Sequence, residues 1–177
     1  MIANDSSASG LPSGPLTYSG PVIAAVIPDQ PEGVIRHAAA LASSFGTGLV
    51  CAYVDMSCYT ARNYRDGVER FIPINPDSLN GFDQGTVDRI QEELERRLAG
   101  TTVRWSLRGL AGEPAHELSI LADRLDASMI VVGTRRPGLS KRLEELVEGS
   151  VAAHLAHHQS RPVVVIPLHP HRYGGGR

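Results

Sequence analysis

A glycine-bearing segment in the second half of the chain carries the residue types best suited to binding chemistry. It reads Val131-Val-Gly-Thr-Arg-Arg-Pro-Gly138, and Gly149-Ser150-Val151 follows farther along. Glycines let a backbone approach a phosphate closely, and amides at a helix start together with a serine hydroxyl can donate hydrogen bonds to it. The same glycines could instead serve a tight strand exit and a close helix contact, and their spacing alone does not separate these two interpretations.

Basic residues in the same segment could pair with phosphate oxygens, because guanidinium groups suit bidentate contacts. They are Arg135, Arg136, Lys141 and Arg142. Three nearby glutamates would neutralise much of the positive potential of these basic residues: Glu144, Glu145 and Glu148. The basic residues could therefore instead be solvated charges on the surface, without a phosphate partner.

Other reactive side chains form no recognisable catalytic or metal site. His154, His157 and His158 have helical spacing, but without a neighbouring cysteine or an arranged carboxylate they are interpreted as surface residues near a helix end. Cys51 is expected in a core strand, and Cys58 in an irregular loop where it could be reactive. The chain has no Gly-x-Ser-x-Gly motif, so neither a metal nor a catalytic residue is predicted.

Five apolar stretches predict the strands that position these residues. Residues 21–27, 48–54 and 128–133 are apolar without alternation, which is typical of strands buried on both faces. Residues 102–107 alternate more, which favours an edge strand. Residues 161–167 form the last stretch.

Helical periodicity separates the strands. Apolar residues recur at three- and four-residue steps over 34–42 and 87–98, Gly112-Glu-Pro114 opens a third helix, and a last helix ends near His158. This order predicts an α/β fold with an open parallel sheet and helices on both faces. Such sheets bind ligands at the carboxyl ends of strands, here above the first and fourth strands. Residues 55–82 lack a clear period and are predicted to be a long loop.

The composition fits one ordinary domain of 177 residues, 42% hydrophobic and 20% charged. A net charge of -2 and a pI near 6.4 predict neither nucleic-acid nor membrane binding. Two cysteines in a chain of this size indicate free thiols and a cytoplasmic location. Residues 1–20 are predicted to be a disordered leader, 21–168 a single domain and 169–177 a frayed tail.

Several of these pieces, in this order, resemble the universal stress protein family. They are residues 22–27 followed by a helix, Gly112-Glu-Pro114, residues 127–133, Gly149-Ser150 and residues 161–167. The resemblance implies a Rossmann-like, adenine nucleotide alpha hydrolase-like fold with strand order 3-2-1-4-5. It also implies dimerisation through the last strand, and a family divided into members that bind ATP and members that do not.

The ATP-binding members carry Gly, two residues, Gly, nine residues, then Gly followed by Ser or Thr. Gly133 matches the first glycine, whereas Arg136 stands at the second. The loop to Gly149 is three residues longer than the pattern, and Gly138 could substitute for the missing glycine if the loop is rebuilt. These departures put the phosphate end of the site in question.

A second departure lies at the end of the first strand, where binding members usually carry an Asp and this chain has Ile27. Asp29 either compensates or forms the turn. The nucleotide-binding residues implied by the resemblance are Ala25, Val26, Ile27, Val54, Val132, Gly133, Thr134, Arg136, Gly138, Gly149, Ser150 and Val151.

The resemblance implies a cytoplasmic stress-response regulator that binds ATP, with Mg²⁺ where the nucleotide brings it, and forms a homodimer. The last strand, bounded by Pro162 and Pro167, favours pairing on physical grounds too, because an unpaired apolar edge invites aggregation. Arg136 and Ile27 favour the alternative, an interaction protein without nucleotide that binds an unidentified protein partner through residues 55–82. At most slow ATP hydrolysis is expected, because no general base is identifiable.

Overall fold

The computed structural model describes residues 18–62, 69–75, 81–134 and 151–167. In chain order its strands are β1 (Val22–Ala25), β2 (Leu49–Asp55), β3 (Cys58–Arg62), β4 (Glu69–Pro73), β5 (Trp105–Ala111), β6 (Met129–Gly133) and β7 (Val163–Ile166). Its helices are α1 (Gly33–Ser44), α2 (Gln84–Arg97), α3 (Pro114–Arg124) and α4 (Val151–His158). Most of the predicted leader and the whole predicted tail lie outside the described residues.

Five strands form one parallel sheet in the order β5-β2-β1-β6-β7. The predicted α/β class with an open five-stranded parallel sheet is confirmed. Numbered among themselves, these strands have the expected order 3-2-1-4-5. Numbering along the whole chain differs because β3 and β4 are inserted after β2 and form a separate two-stranded sheet. β5 is an edge strand, as its alternating sequence predicts.

Successive residues of β1 enter two different hydrophobic cores, which explains why the strand has no polar face. Val22 and Ala24 join the core beneath α1 and α2, whereas Ile23 joins the core beneath α3 and α4. All three side chains are fully buried, and burial of a Val or Ile side chain stabilises a fold by roughly 1.5–3 kcal/mol. Helices therefore cover both faces of the sheet.

Acidic side chains cap the N-termini of two helices. Asp83 caps α2 and accepts hydrogen bonds from the hydroxyl and the amide of Thr86, at 2.5 and 3.0 Å. These bonds hold the pKa of Asp83 below its ordinary value. Glu113 caps α3 by accepting from the amides of Ala115 and His116 at 3.0 and 2.6 Å. Both caps satisfy amides that the first helical turn leaves unpaired.

A β-hairpin occupies part of the segment that the sequence predicts to be a long loop. β3 and β4 pair antiparallel, with Tyr59 opposite Ile72. On the inner face the Thr60 hydroxyl donates to the carbonyl of Ala111 at 2.9 Å, which attaches the hairpin to β5. Each strand is only five residues long, and so short an alternation is hard to distinguish from a loop by period alone.

The inner face of the hairpin also buries Cys58, so the expectation of a reactive thiol in an irregular loop is wrong. Cys58 is fully buried at the start of β3, and Cys51 is fully buried in β2, as predicted. Both are free thiols, also as predicted. Burial raises the pKa of Cys51 to about 12.

Candidate functional site

The described helices that follow β1 and β6, two neighbouring strands, lie on opposite faces of the sheet. β1 is followed by α1, which packs in one core, whereas α4, the next described element after β6, packs Leu155 in the other. The two strands are in parallel register, with Ile23 opposite Ile130. In α/β sheets, helices on opposite faces after two neighbouring strands mark the place where a crevice opens at the carboxyl ends of those strands, and ligands bind there.

At the end of β1 the chain makes a tight turn. Val26 donates its amide to the carbonyl of Ala52 at 2.9 Å, and the Ile27 amide donates to Oε1 of Gln30 at 3.2 Å. Asp29 has a φ of 55°, in the left-handed region that Asp tolerates better than most residues. Of the two roles considered for Asp29, this conformation supports the turn former.

Ile27 is consequently held with its amide paired and its side chain outward. The side chain is 43% exposed just beyond β1. It offers an apolar surface to solvent there and no hydrogen-bonding group. Gln30, which sequence reasoning missed, is buried and supports this conformation.

At the end of β6 the described chain continues to Thr134. Gly133 pairs in register with Ile166 of β7, and the Thr134 amide donates to the Ile166 carbonyl at 2.8 Å. Val132 is buried beneath this edge. The other predicted residues of the loop lie outside the described residues: Arg136, Gly138, Gly149 and Ser150.

Four of the predicted residues, each on a different element, pack in the same hydrophobic cluster. Ala25, Val54, Val132 and Val151 all belong to the hydrophobic cluster beneath α3 and α4. Val132 is buried, and the other three are partly exposed. We call these four residues the apolar wall. Val26 does not join it, because its side chain enters the core on the opposite face.

Asp55, at the end of β2, is a second residue that sequence reasoning missed. It is only 5% exposed, and its carboxylate accepts from the amide and hydroxyl of Ser57, at 2.8 and 2.6 Å, and from the amide of Asp83 at 3.1 Å. The signal for it was an Asp two residues before a Ser at a strand end, which is typical of a turn. Asp55 thereby holds the hairpin and α2 next to Val54.

The loop between β5 and α3 adjoins the same strand end. Gly112 has a φ of 140° and donates its amide to the carbonyl of Asp55 at 3.1 Å. A Cβ on Gly112 would lie 2.9 Å from the carboxylate of Glu117, and any L-residue with a side chain would be strained at this φ. Burial is the main cause that raises the pKa of Glu117.

A groove of about 490 Å³ lies elsewhere, between the outer face of α1 and the connection from α2 to β5. Arg36, Arg97 and Thr101 are among its lining residues. Arg97 is engaged by Glu93, and the Thr101 hydroxyl donates to the carbonyl of Leu98 at 2.9 Å. Because no predicted site residue lines this groove, the crevice at the strand ends is the stronger candidate.

Comparison with known proteins assigns the family. The model of the universal stress protein family matches residues 21–167. The chain belongs to the universal stress protein family. No curated protein sequence matches it significantly.

Solved structures share its fold. A universal stress protein in complex with cAMP is 20% identical, with a TM-score of 0.55 over 85% of this chain and 99% of that chain. The protein from Archaeoglobus fulgidus in complex with dAMP is 20% identical, with a TM-score of 0.53 over the same shares. A family member from Burkholderia pseudomallei is 24% identical, with a TM-score of 0.54 over 87% and 99%.

The helices of the described ranges include none with the length and apolar character needed to cross a membrane.

Proposed function

We propose that this protein binds an adenine nucleotide in the crevice between the ends of β1 and β6. The observation that carries the proposal is the apolar wall, which gathers Ala25, Val54, Val132 and Val151 beside the edge of the sheet. A partly exposed apolar surface next to a strand end suits a flat base, which gains from leaving water. Two related structures were solved with cAMP and dAMP, which supports an adenine base.

ATP is the nucleotide that we propose, with any Mg²⁺ arriving on its phosphates. The phosphates would then be bound by the loop that starts at Gly133 and Thr134 and continues through Arg136 and Gly138 to Gly149-Ser150. A basic loop with glycines suits this task because amides and guanidinium groups donate several hydrogen bonds to phosphate oxygens. With Ile27 in place of an Asp, the ribose hydroxyls lose an acceptor, so the affinity is expected to be weak.

The role that we propose for the nucleotide is regulatory. A nucleotide that binds one conformation of the loop better than another shifts the population toward that conformation. The protein would act as a cytoplasmic stress-response regulator and as a homodimer through β7. In β7, Val165 is 44% exposed, and pairing with a second copy would cover this apolar edge.

The direct test uses the freshly purified full chain. Denaturation followed by mass spectrometry identifies any nucleotide that is released, and calorimetric titration of the nucleotide-free protein with ATP measures the affinity. Release of ATP or AMP at near-stoichiometric amounts, or a saturable ATP isotherm, is the expected result. The absence of both a released nucleotide and any heat of ATP binding would overturn the proposal.

A second candidate function, a protein-interaction module, is favoured by the outer face of the hairpin. Tyr59, Ile72 and Ile74 lie there with 47%, 38% and 61% of their surfaces exposed. Tyr59 and Ile72 are cross-strand neighbours. A cluster of exposed apolar side chains is typical of binding surfaces.

Affinity capture on the wild-type chain and on Ile74→Asp tests this second function. If the hairpin binds a partner, the charged variant loses a specific captured protein because a carboxylate in an apolar interface is costly to desolvate. Phe45→Asp is the matched control, since it also places an Asp at an exposed apolar residue but outside both the hairpin and the crevice. Identical captured sets from the wild type and Ile74→Asp would exclude this function for the hairpin.

A further inference from the structure

Two histidines on α4 lie one helical turn apart with their rings in contact. The ring centroids of His154 and His158 are 4.4 Å apart, and the ring planes are inclined by 64°. Both side chains are exposed. Residues four positions apart face the same side of a helix, so both imidazoles open toward the same region of solvent.

The separation of the two ring centres is short enough for one nitrogen of each imidazole to reach the same metal ion. With metal–nitrogen bonds of about 2.0–2.1 Å, the metal lies roughly 3.2 Å from each ring centre. Two ring centres at a right angle about the metal are then about 4.5 Å apart, whereas a tetrahedral angle separates them by about 5.2 Å. The observed separation of 4.4 Å is nearer the value for a right angle, and a right angle is what square-planar and tetragonal metal sites require.

We propose that His154 and His158 form a two-ligand site for a divalent transition metal, with Cu²⁺ and Ni²⁺ preferred to Zn²⁺. Imidazole suits all three ions, and the right angle selects the first two. Within the described part of the chain no group of three or more His, Cys, Asp or Glu side chains could hold a metal. Water or an external donor therefore completes the coordination.

The helix that carries the pair is held in place by its own packing. Leu155 is fully buried in the core beneath α3 and α4, and this burial anchors the helix. The chain after α4 is also fixed, because the Arg161 guanidinium donates to the carbonyl of Ala127 at 2.8 Å. The backbone is thus ordered before metal binds, which lowers the entropic cost of binding.

His157 provides an internal control. It is equally exposed on α4, but it lies three positions from His154 and next to His158, so its direction differs from that of His158 by about 100° around the helix. No ring contact of the kind between His154 and His158 joins it to another described aromatic residue. His169 and His171 lie outside the described residues and supply a second control.

The experiment titrates the full chain with CuCl₂, NiCl₂ and ZnCl₂ in a non-chelating buffer. We expect one site per chain that binds Cu²⁺ and Ni²⁺ more tightly than Zn²⁺. Replacing a residue that only hydrogen-bonds to a metal ligand already lowers metal affinity about 10- to 100-fold. Removing a ligand itself, as in His154→Ala or His158→Ala, should therefore weaken binding by about tenfold or more. His157→Ala and the double variant His169→Ala/His171→Ala should stay within about twofold.

Thermal melts supply a readout that does not depend on heats of binding. Excess Cu²⁺ should raise the Tm of the wild type, because a ligand of the native state stabilises it, and should not raise that of His154→Gln. Without metal the variant should melt as the wild type does, since His154 is exposed. Absence of binding, equal loss in His157→Ala, loss in the tail variant, or a preference for Zn²⁺ would each overturn the proposal.

Discussion

The carboxylate of Asp55 accepts a hydrogen bond from the backbone amide of Asp83 at 3.1 Å, across 28 residues of chain. This bond joins the end of β2 to the cap of α2. The same carboxylate also accepts from the amide and hydroxyl of Ser57. One buried side chain therefore satisfies donors on both sides of the hairpin, and it holds the strand end that carries Val54.

Replacing Asp55 by Ala should destabilise the fold by about 2–4 kcal/mol, because two amides lose their acceptor at a site with little access to water. Urea unfolding followed by circular dichroism measures the change. Asp88→Ala is the control, since Asp88 is exposed on α2, and its effect should stay within about 0.5 kcal/mol. Equal midpoints for Asp55→Ala and the wild type would contradict the role assigned to Asp55.

Replacing Ile27 by Asp should strengthen ATP binding by about tenfold, because a carboxylate that accepts from ribose hydroxyls forms charge-assisted hydrogen bonds. Ile27 is exposed, so the substitution removes little packing. Calorimetric titration with ATP measures the change, and Ile74→Asp on the hairpin should leave the affinity as it is in the wild type. An unchanged or lower affinity in Ile27→Asp would mean that Ile27 does not face the ribose.

The two thiols should be inert in the native protein. Cys51 and Cys58 are fully buried, and a pKa of about 12 leaves Cys51 without thiolate at neutral pH. A chromogenic disulfide reagent should therefore label neither cysteine in buffer and both in denaturant. Rapid labelling of Cys58 alone in buffer would show that the hairpin opens.

Replacing Glu117 by Gln should stabilise the protein at neutral pH. Burial raises the pKa of Glu117 in the folded state, so its contribution is most favourable when it is protonated and is lost as the pH rises through that folded-state pKa. The Gln variant mimics the protonated form and should have the higher Tm at pH 7. The difference should shrink toward pH 4.

Glu92→Gln is the control for this pH dependence, because Glu92 is exposed on α2. The difference in Tm between Glu92→Gln and the wild type should be the same at pH 7 and at pH 4. If Glu117→Gln lowers the Tm at pH 7, the ionised carboxylate makes a favourable interaction that outweighs its burial.

Replacing Val165 by Lys should convert the proposed homodimer to a monomer. Val165 is an exposed apolar residue on the edge strand β7, and two lysines facing each other across a paired edge would repel and lose water. Light scattering at micromolar concentration measures the mass, with Ile74→Lys as the control that should remain dimeric. A monomeric wild type would refute the dimer.

The amino-acid sequence by itself determined the strands and helices of the main sheet. β1, β2 and β6 are buried on both faces, so their composition alone marks them, and α1 and α2 show the helical period. Local signals also placed the helix start at Gly112-Glu-Pro114. These features depend on neighbouring residues in the chain, which is why they could be predicted without a structure.

Only the tertiary structure decided how distant residues meet. The hairpin register, the bond between Asp55 and Asp83, and the apolar wall each join separate elements. Sequence spacing showed that His154 and His158 share a helix face, but their ring separation depends on side-chain rotamers. Sequence patterns report the environment of each segment, whereas a binding site depends on distances between segments, and packing of the whole chain sets those distances.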